Sequence, residues 1–160
     1  MMTEPTYLPQ RIISGGQTGA DRAALDAAIE LNIPHGGFVP ARRRAEDGPI
    51  SDHYDVTELP TDSYDERTEQ NVLAADATLI VSVGALTGGS ATTKRLARRH
   101  GKECLHVNLE RLSDDEAVRV LREWLAEARP AVLNVAGPRE STTPGIYDRV
   151  RTLLRAALSP

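Results

Sequence analysis

Three glycine-bearing segments of this chain each follow a short apolar run, and their residue types suit an oxyanion. The first, Gly15-Gly-Gln-Thr-Gly-Ala-Asp21, follows Arg11-Ile-Ile-Ser14 and opens a stretch of helical period. Glycines there let backbone amides approach an anion, and the start of the helix adds favourable potential. The spacing is neither a G-x-G-x-x-G fingerprint nor a P-loop, so a tight structural turn is the alternative. Thr18 can cap the helix or donate to a ligand. Asp21 either steadies the helix dipole or accepts from a ligand hydroxyl or amine, or holds a metal.

The second segment, Gly84-Ala-Leu-Thr-Gly-Gly-Ser-Ala-Thr-Thr-Lys94, repeats the pattern. Ser90, Thr92 and Thr93 offer hydroxyls where helix amides would point, and Lys94 offers charge. The third, Asn134-Val-Ala-Gly-Pro-Arg-Glu-Ser141, adds Asn134, Arg139, Glu140 and Ser141, with a surface ion pair as the alternative for Arg139 and Glu140. No catalytic triad is visible, and the serines and threonines lack an evident neighbouring base. His35, His53, His100 and His106 are scattered, with no pair at metal-ligand spacing on one element, so no metal site is expected. Asp21, Glu46, Asp47 and Glu140 could do acid–base work if two converge; Asp21 and Glu140 are the catalytic candidates.

The elements that must position these residues alternate regularly. Arg11–Ser14 reads as a strand and Ala20–Leu31 as a helix with Ala24, Leu25, Ala28 and Ile29 on one face. Gly36–Val39 reads as a strand, and Pro40–Leu59 as a long irregular loop carrying Arg42-Arg-Arg44. Asp62-Ser63 caps a helix over Tyr64–Ala75, and Ala77–Val83 is a strand apolar enough for burial on both faces. A helix over Ala91–His100, a strand over Cys104–Val107 and a helix from the capping box Ser113-Asp-Asp-Glu116 to about Ala128 follow. In that last helix Trp124 shares an apolar face with Val118, Leu121 and Leu125, as a core residue. Ala131–Val135 is the final strand, Ala136–Gly145 a polar loop and Ile146–Leu158 the closing helix. This order predicts an α/β, Rossmann-like three-layer sandwich with a mainly parallel sheet of about five strands. Ligands in such sheets bind at the carboxyl ends of the strands, where the strand order reverses.

The whole chain is 160 residues with 40% hydrophobic and 26% charged residues, which fits one domain over 1–160 with an aliphatic core. Its 19 basic and 23 acidic residues give −4 at pH 7, the wrong balance for coating nucleic acid or an anionic membrane. Cys104 is the single cysteine, read as a buried small apolar residue; it excludes an internal disulfide and multi-cysteine zinc sites. No apolar run reaches bilayer length, and Met1-Met-Thr-Glu-Pro5 lacks a signal-peptide pattern, so a cytoplasmic protein is expected. Lys94 and Lys102 are the only lysines; the remaining positive charge is arginine, suited to bidentate binding of phosphate.

Taken together, Ser14-Gly-Gly-Gln-Thr-Gly-Ala-Asp-Arg-Ala-Ala-Leu-Asp26, Gly36-Gly37, Arg43-Arg-Ala-Glu-Asp-Gly-Pro-Ile50, Arg67-Thr68 with Asn71-Val72, Leu86-Thr-Gly-Gly-Ser90 and Leu133-Asn-Val-Ala-Gly-Pro-Arg-Glu-Ser141 resemble the molybdenum carrier protein family. That family lies in the circularly permuted YpsA-like branch of the SLOG superfamily. The resemblance runs from about Ile12 to Leu154 and implies a Rossmann-like domain that binds a nucleotide derivative or the molybdenum cofactor, commonly as a homodimer or homotetramer. Position by position it implies ligand contacts from Gly15, Gly16, Gln17, Thr18, Gly19 and Asp21. Arg43 and Glu46 come from the long loop, and Arg67, Thr68 and Asn71 from the helix after it. Gly88, Gly89, Ser90 and Thr93 come from the middle segment, and Gly137, Arg139, Glu140 and Ser141 from the last. A more distant likeness to nucleotide phosphoribohydrolases is broken at Thr87–Lys94, which holds no glutamate; Arg95 stands about where the catalytic one would fall.

These readings favour a small-molecule binding protein for a phosphate-bearing ligand, molybdenum cofactor or nucleotide, with no catalytic role assigned. The alternative is a hydrolase cleaving an N-glycosidic or phosphoester bond, with Asp21 or Glu140 as acid or base. In either case Pro40–Leu59 is expected to act as a lid whose Arg42-Arg-Arg44 cluster closes on an anion.

Overall fold

The computed structural model describes residues 5–160, so most of the Met1–Pro5 segment read above for a leader lies outside the described residues. Five strands form one parallel sheet: β1 (Arg11–Ile13), β2 (His35–Gly36), β5 (Ala77–Ser82), β6 (Glu103–Asn108) and β7 (Val132–Ala136). Two further strands, β3 (Phe38–Val39) and β4 (Thr57–Glu58), pair separately. The helices are α1 (Ala20–Glu30), α2 (Tyr64–Ala74), α3 (Gly88–Arg99), α4 (Asp114–Ala128) and α5 (Ile146–Leu158), with a 3₁₀ turn at Ala41–Arg43.

The spatial order of the sheet is β2-β1-β7-β5-β6. If the chain were cut before β7 and its present ends were joined, these strands would read 3-2-1-4-5, the order of a doubly wound nucleotide-binding fold. The last strand in sequence therefore occupies the place of the first strand in space. The reversal of direction, where such folds bind ligands, falls between β7 and β5.

The two faces of the sheet differ in chemistry. Helices α1, α4 and α5 pack together on one face, burying Ile12, Leu79, Val81, Val107, Leu133 and Val135 against Ala24, Leu121, Leu125, Val150 and Leu154. The alanines of α1 (Ala20, Ala23, Ala24, Ala27, Ala28) are all buried and bring that helix close to its neighbours. Helices α2 and α3 cover the other face, and there the same strands present Thr78, Ser82 and Asn134, opposite Asn71, Ser90 and Thr93 of the helices. All six are buried. Buried polar groups require partners, so this half of the interior is built for hydrogen bonding rather than packing alone.

Most boundaries agree with the sequence reading, and the exceptions have local causes. Gly36–Val39 is not one strand: the chain leaves the main sheet at Gly37, where φ is +127° and an added Cβ would lie 2.0 Å from the Ser14 carbonyl oxygen. Helix α3 begins at Gly88, three residues before the expected start, because Thr87 is extended and turns the chain directly into the helix. The segment from 40 to 59 is not irregular throughout. Val39, Ala45 and Ile50 form a small apolar cluster with Tyr54 and Val56 against it, and β4 within it pairs with β3. The capping box at Ser113 and Glu116 forms as read.

Candidate functional site

A cleft of about 390 Å³ opens at the carboxyl ends of β7 and β5, where the strand order reverses. Gly15, Gln17 and Asp21 wall it from the β1 side, and Arg67, Thr68 and Asn71 from α2. Thr87, Gly88, Gly89, Ser90 and Thr93 enter from the start of α3, and Gly137 and Arg139 from the loop after β7.

The start of α3 is open. Its N-cap Thr87 makes no side-chain cap. Ser90 N–H donates back to the Thr87 carbonyl at 3.1 Å, but among the described residues the N–H groups of Gly88 and Gly89 meet no acceptor. An added Cβ at either glycine would meet nothing within 4 Å. Helix N-termini with unsatisfied amides attract anions, and the absence of side chains leaves room for one. Thr93 Oγ1 is turned to the Gly89 carbonyl at 2.8 Å.

Opposite α3, Gln17 is 6% exposed. Its Oε1 accepts from the Thr18 and Glu46 N–H groups at 3.1 and 2.9 Å. Its Nε2 is buried and finds no partner at hydrogen-bond geometry, although it lies beside the Tyr64 hydroxyl, which accepts from Arg44 Nε at 3.1 Å. Arg67 Nε is buried and unpartnered as well. A buried donor without an acceptor costs about 1–3 kcal/mol, and both side chains line the cleft beside the open helix start.

Arg67 is held by several groups at once. Its Nη1 donates to Asp21 Oδ2 at 3.0 Å in an ion pair buried on both sides, and its guanidinium lies 5.4 Å from the Tyr64 ring centre. It also lies flat on Gly15, where an added Cβ would sit 1.5 Å from Nη1. Burial pushes the Asp21 carboxyl above the usual range, while Arg67 pulls it down. Arg44 and Arg139 approach the same Tyr64 ring at 4.7 and 5.3 Å. One tyrosine thus gathers three guanidinium groups through cation–π contact. Arg139, free of any ion pair among the described residues, is the one that both lines the cleft and remains available.

The structure does not bring every expected residue to the cleft. Arg43 donates to the carbonyls of Ile50, Ser51 and Tyr54 at 2.7–2.9 Å and clamps its own loop. Glu140 accepts from the Gly145 and Tyr147 N–H groups at 2.7 and 3.0 Å and caps α5. Glu46 accepts from Thr18 Oγ1 and Ser141 Oγ, joining the long loop to the first and last loops; those two hydroxyls, Ser141 foremost, hold its carboxyl below the usual range. Gly16 packs under Ile50 and Val39, and Gly19 under Pro138 and Glu140. Asn71 lines the cleft, but its amide is used on the Phe38 N–H and carbonyl at 2.8 and 3.0 Å.

Two groups escaped the sequence reading. Ser82 lines the cleft from β5, beside the expected Asn134 of β7; its signal was present, as a polar residue on one face of an otherwise apolar strand. Thr142 and Thr143 also line it and carry no comparable signal. His106 Nε2 lies 2.6 Å from Ser82 Oγ, giving that serine an imidazole neighbour the sequence did not reveal. Ser82 Oγ donates to the Gly84 carbonyl at 2.7 Å, so the imidazole Nε2–H is the donor to Oγ. Among the described residues no group of three or more His, Cys, Asp or Glu side chains converges as a metal ion would require, and no helix is long and apolar enough to cross a membrane.

A parallel doubly wound sheet in permuted order, with an amide-lined cleft at its switch point, defines a ligand-binding α/β domain of the Rossmann-like class. The chain belongs to the circularly permutated YpsA SLOG family, whose model matches residues 12–158. Among solved structures it is similar to a crystal structure named "Putative molybdenum carrier protein", from Syntrophus aciditrophicus SB. The two are 47% identical with a TM-score of 0.95, over 97% of this chain and 98% of that one. No curated protein matches.

Proposed function

We propose that this protein binds a phosphate-bearing small molecule, molybdenum cofactor or a nucleotide derivative, with a phosphate seated at the start of α3. The observation that carries this reading is the set of unanswered donors around one cleft: the Gly88 and Gly89 amides, Gln17 Nε2 and Arg67 Nε. All are donors, so the group they suit is an acceptor, and Arg139 would supply the charge to neutralise it. The donor set fits the phosphate end of a molybdenum-bearing pterin as well as a nucleotide. In either case Arg67 and Gln17 would orient the phosphate, while Thr142 and Thr143 close the far wall.

The name of the similar Syntrophus protein supports the molybdenum-related ligand over a plain nucleotide. The hydrolase alternative draws less support, because Glu140 is occupied as a helix cap and Asp21 as an ion-pair partner. The test is native and denaturing mass spectrometry of the protein as purified, with molybdenum measured on the same sample and light scattering for the expected homodimer or homotetramer. A released phosphorylated pterin with stoichiometric molybdenum supports the carrier reading; a released nucleotide assigns the other ligand. An empty protein that takes up neither pyrophosphate nor a nucleotide overturns both.

A further inference from the structure

We propose that the cleft continues past Leu86 into a second anion subsite, formed by Lys94, Arg95 and Arg98 of α3 and bordered by His106 of β6, so that the ligand carries two separated anionic groups. This rests on the phosphate reading of the main cleft and extends it to the class of ligand.

A groove of about 390 Å³ lies along α3 beside β6, lined by Leu86, Ala91, Lys94, Arg95, Arg98 and His106. Leu86 also lines the main cleft, so the two spaces share a wall residue. The pair Ser82 and His106 shares another boundary: Ser82 faces the main cleft and His106 the groove, 2.6 Å apart. Residues 91, 94, 95 and 98 fall on one face of a helix, and Ala91 leaves space between that face and the strand.

The charge along this face is uncompensated. Arg22, Arg67, Arg149, Arg151 and Arg155 each meet a carboxylate. Lys94, Arg95 and Arg98 meet none among the described residues, and no acid lines the groove. The groove thus collects three cations with no acid in its lining, in a chain of net charge −4. Arg95 makes one side-chain hydrogen bond, to Thr92 Oγ1 at 3.0 Å. Burial, with Lys94 adding to it, holds the His106 imidazole below its ordinary range, as expected where like charges crowd with nothing to relieve them.

The helix also sets the spacing. At ~1.5 Å rise per residue, Lys94 and Arg98 stand roughly 9 and 15 Å along α3 from Gly88. One phosphate at the helix start cannot occupy both places. A ligand with a second phosphate on the other side of a sugar or linker can.

The test titrates adenosine 5′-monophosphate and adenosine 3′,5′-bisphosphate into the wild type, the double variant K94A/R98A and the variant R139A at ~0.15 M salt, where fields beyond about 8 Å are screened. A charge-assisted contact predicts that the bisphosphate binds the wild type about tenfold more tightly than the monophosphate. K94A/R98A should erase that advantage and leave monophosphate affinity within about twofold, whereas R139A should weaken both probes. Equal weakening of both probes by K94A/R98A would mean a general field and overturn the subsite, as would no preference for the bisphosphate in the wild type. Failure of both probes to bind the wild type would instead remove the phosphate reading of the main cleft, and the subsite with it.

Discussion

The loop after β1 and the entry to α3 both place glycines ahead of a helix at the carboxyl end of a parallel strand, yet they use them in opposite ways. In the first, the Gly16, Gln17, Thr18 and Ala20 N–H groups already have acceptors: Ser14 Oγ, Asp21 Oδ2, Gln17 Oε1 and the Pro138 carbonyl, at 3.1–3.4 Å. Its glycines are demanded by neighbours that crowd them. In the second, the amides are unanswered and the glycines border open space. Glycine for packing and glycine for access look alike in a sequence; the difference lies in whether a Cβ would strike protein or fill the cleft. The permuted strand order is consistent with this, since the switch point is flanked by β7 and β5, with β1 one strand removed.

Arg67 joins the two regions, and its loss should have the largest effect. Arg67→Ala leaves the Asp21 carboxylate buried without a partner and should cost about 3–5 kcal/mol in denaturant unfolding at pH 7. Because burial already raises the Asp21 pKa in the folded protein, protonation is favoured by folding, so that contribution is present at low pH and is lost as pH rises. The deficit of Arg67→Ala should therefore shrink toward acid pH, and Asp21→Asn in the same chain should recover part of it. A deficit independent of pH would contradict the buried-pair account.

Gly19→Ala comes next. At φ +79° its Cβ would lie 2.4 Å from the Pro138 carbonyl oxygen and 2.7 Å from Glu140 N. Backbone cannot yield as a side-chain tip can, so a loss of about 3 kcal/mol, or roughly 10 °C in Tm, is expected. An unchanged Tm would mean that the first loop is as open as the second.

Arg139→Ala should leave stability within about 0.5 kcal/mol, as for a surface group without an ion pair, and weaken binding of a phosphate probe about tenfold by calorimetry. The smallest effect concerns Glu46, whose carboxyl is held below its ordinary value of 4.5 by Ser141 and Thr18. A depressed acid contributes above its unfolded pKa, so the tie between the three loops should persist above about pH 4.5 and loosen as pH falls below it. Proteolysis within 40–59 should rise over that window in the wild type, and a Glu46→Gln variant should show no such rise.

Much of the fold was legible because alternation and periodicity recur in sequence. Ala77–Ser82 is buried along its whole length, as an apolar run implies, and α5 spans the residues the periodicity marked. The sheet order was not legible, since a last strand inserted between β1 and β5 leaves no local trace. At the site, chain position drew weight to Gly15–Gly19, which reads as the first turn of a nucleotide fold but follows the second strand in space. The uses of Arg43 and Glu140 as a clamp and a cap depend on carbonyls and amides of folded loops, which residue type does not encode. His106 beside Ser82 arises from the register of β5 against β6, where Ser82 pairs with Asn108 and Ile80 with His106.

The most direct test of an open anion seat at α3 is Gly89→Ala against wild type, with Tm and calorimetric titration of pyrophosphate measured on both. Alanine is the better helix former by up to about 1 kcal/mol, and its Cβ meets no protein atom within 4 Å. The variant should melt no lower than wild type while its affinity for the anion falls about tenfold or more. Unchanged affinity would show that the phosphate does not sit on the Gly88 and Gly89 amides, and the account of the site would fail.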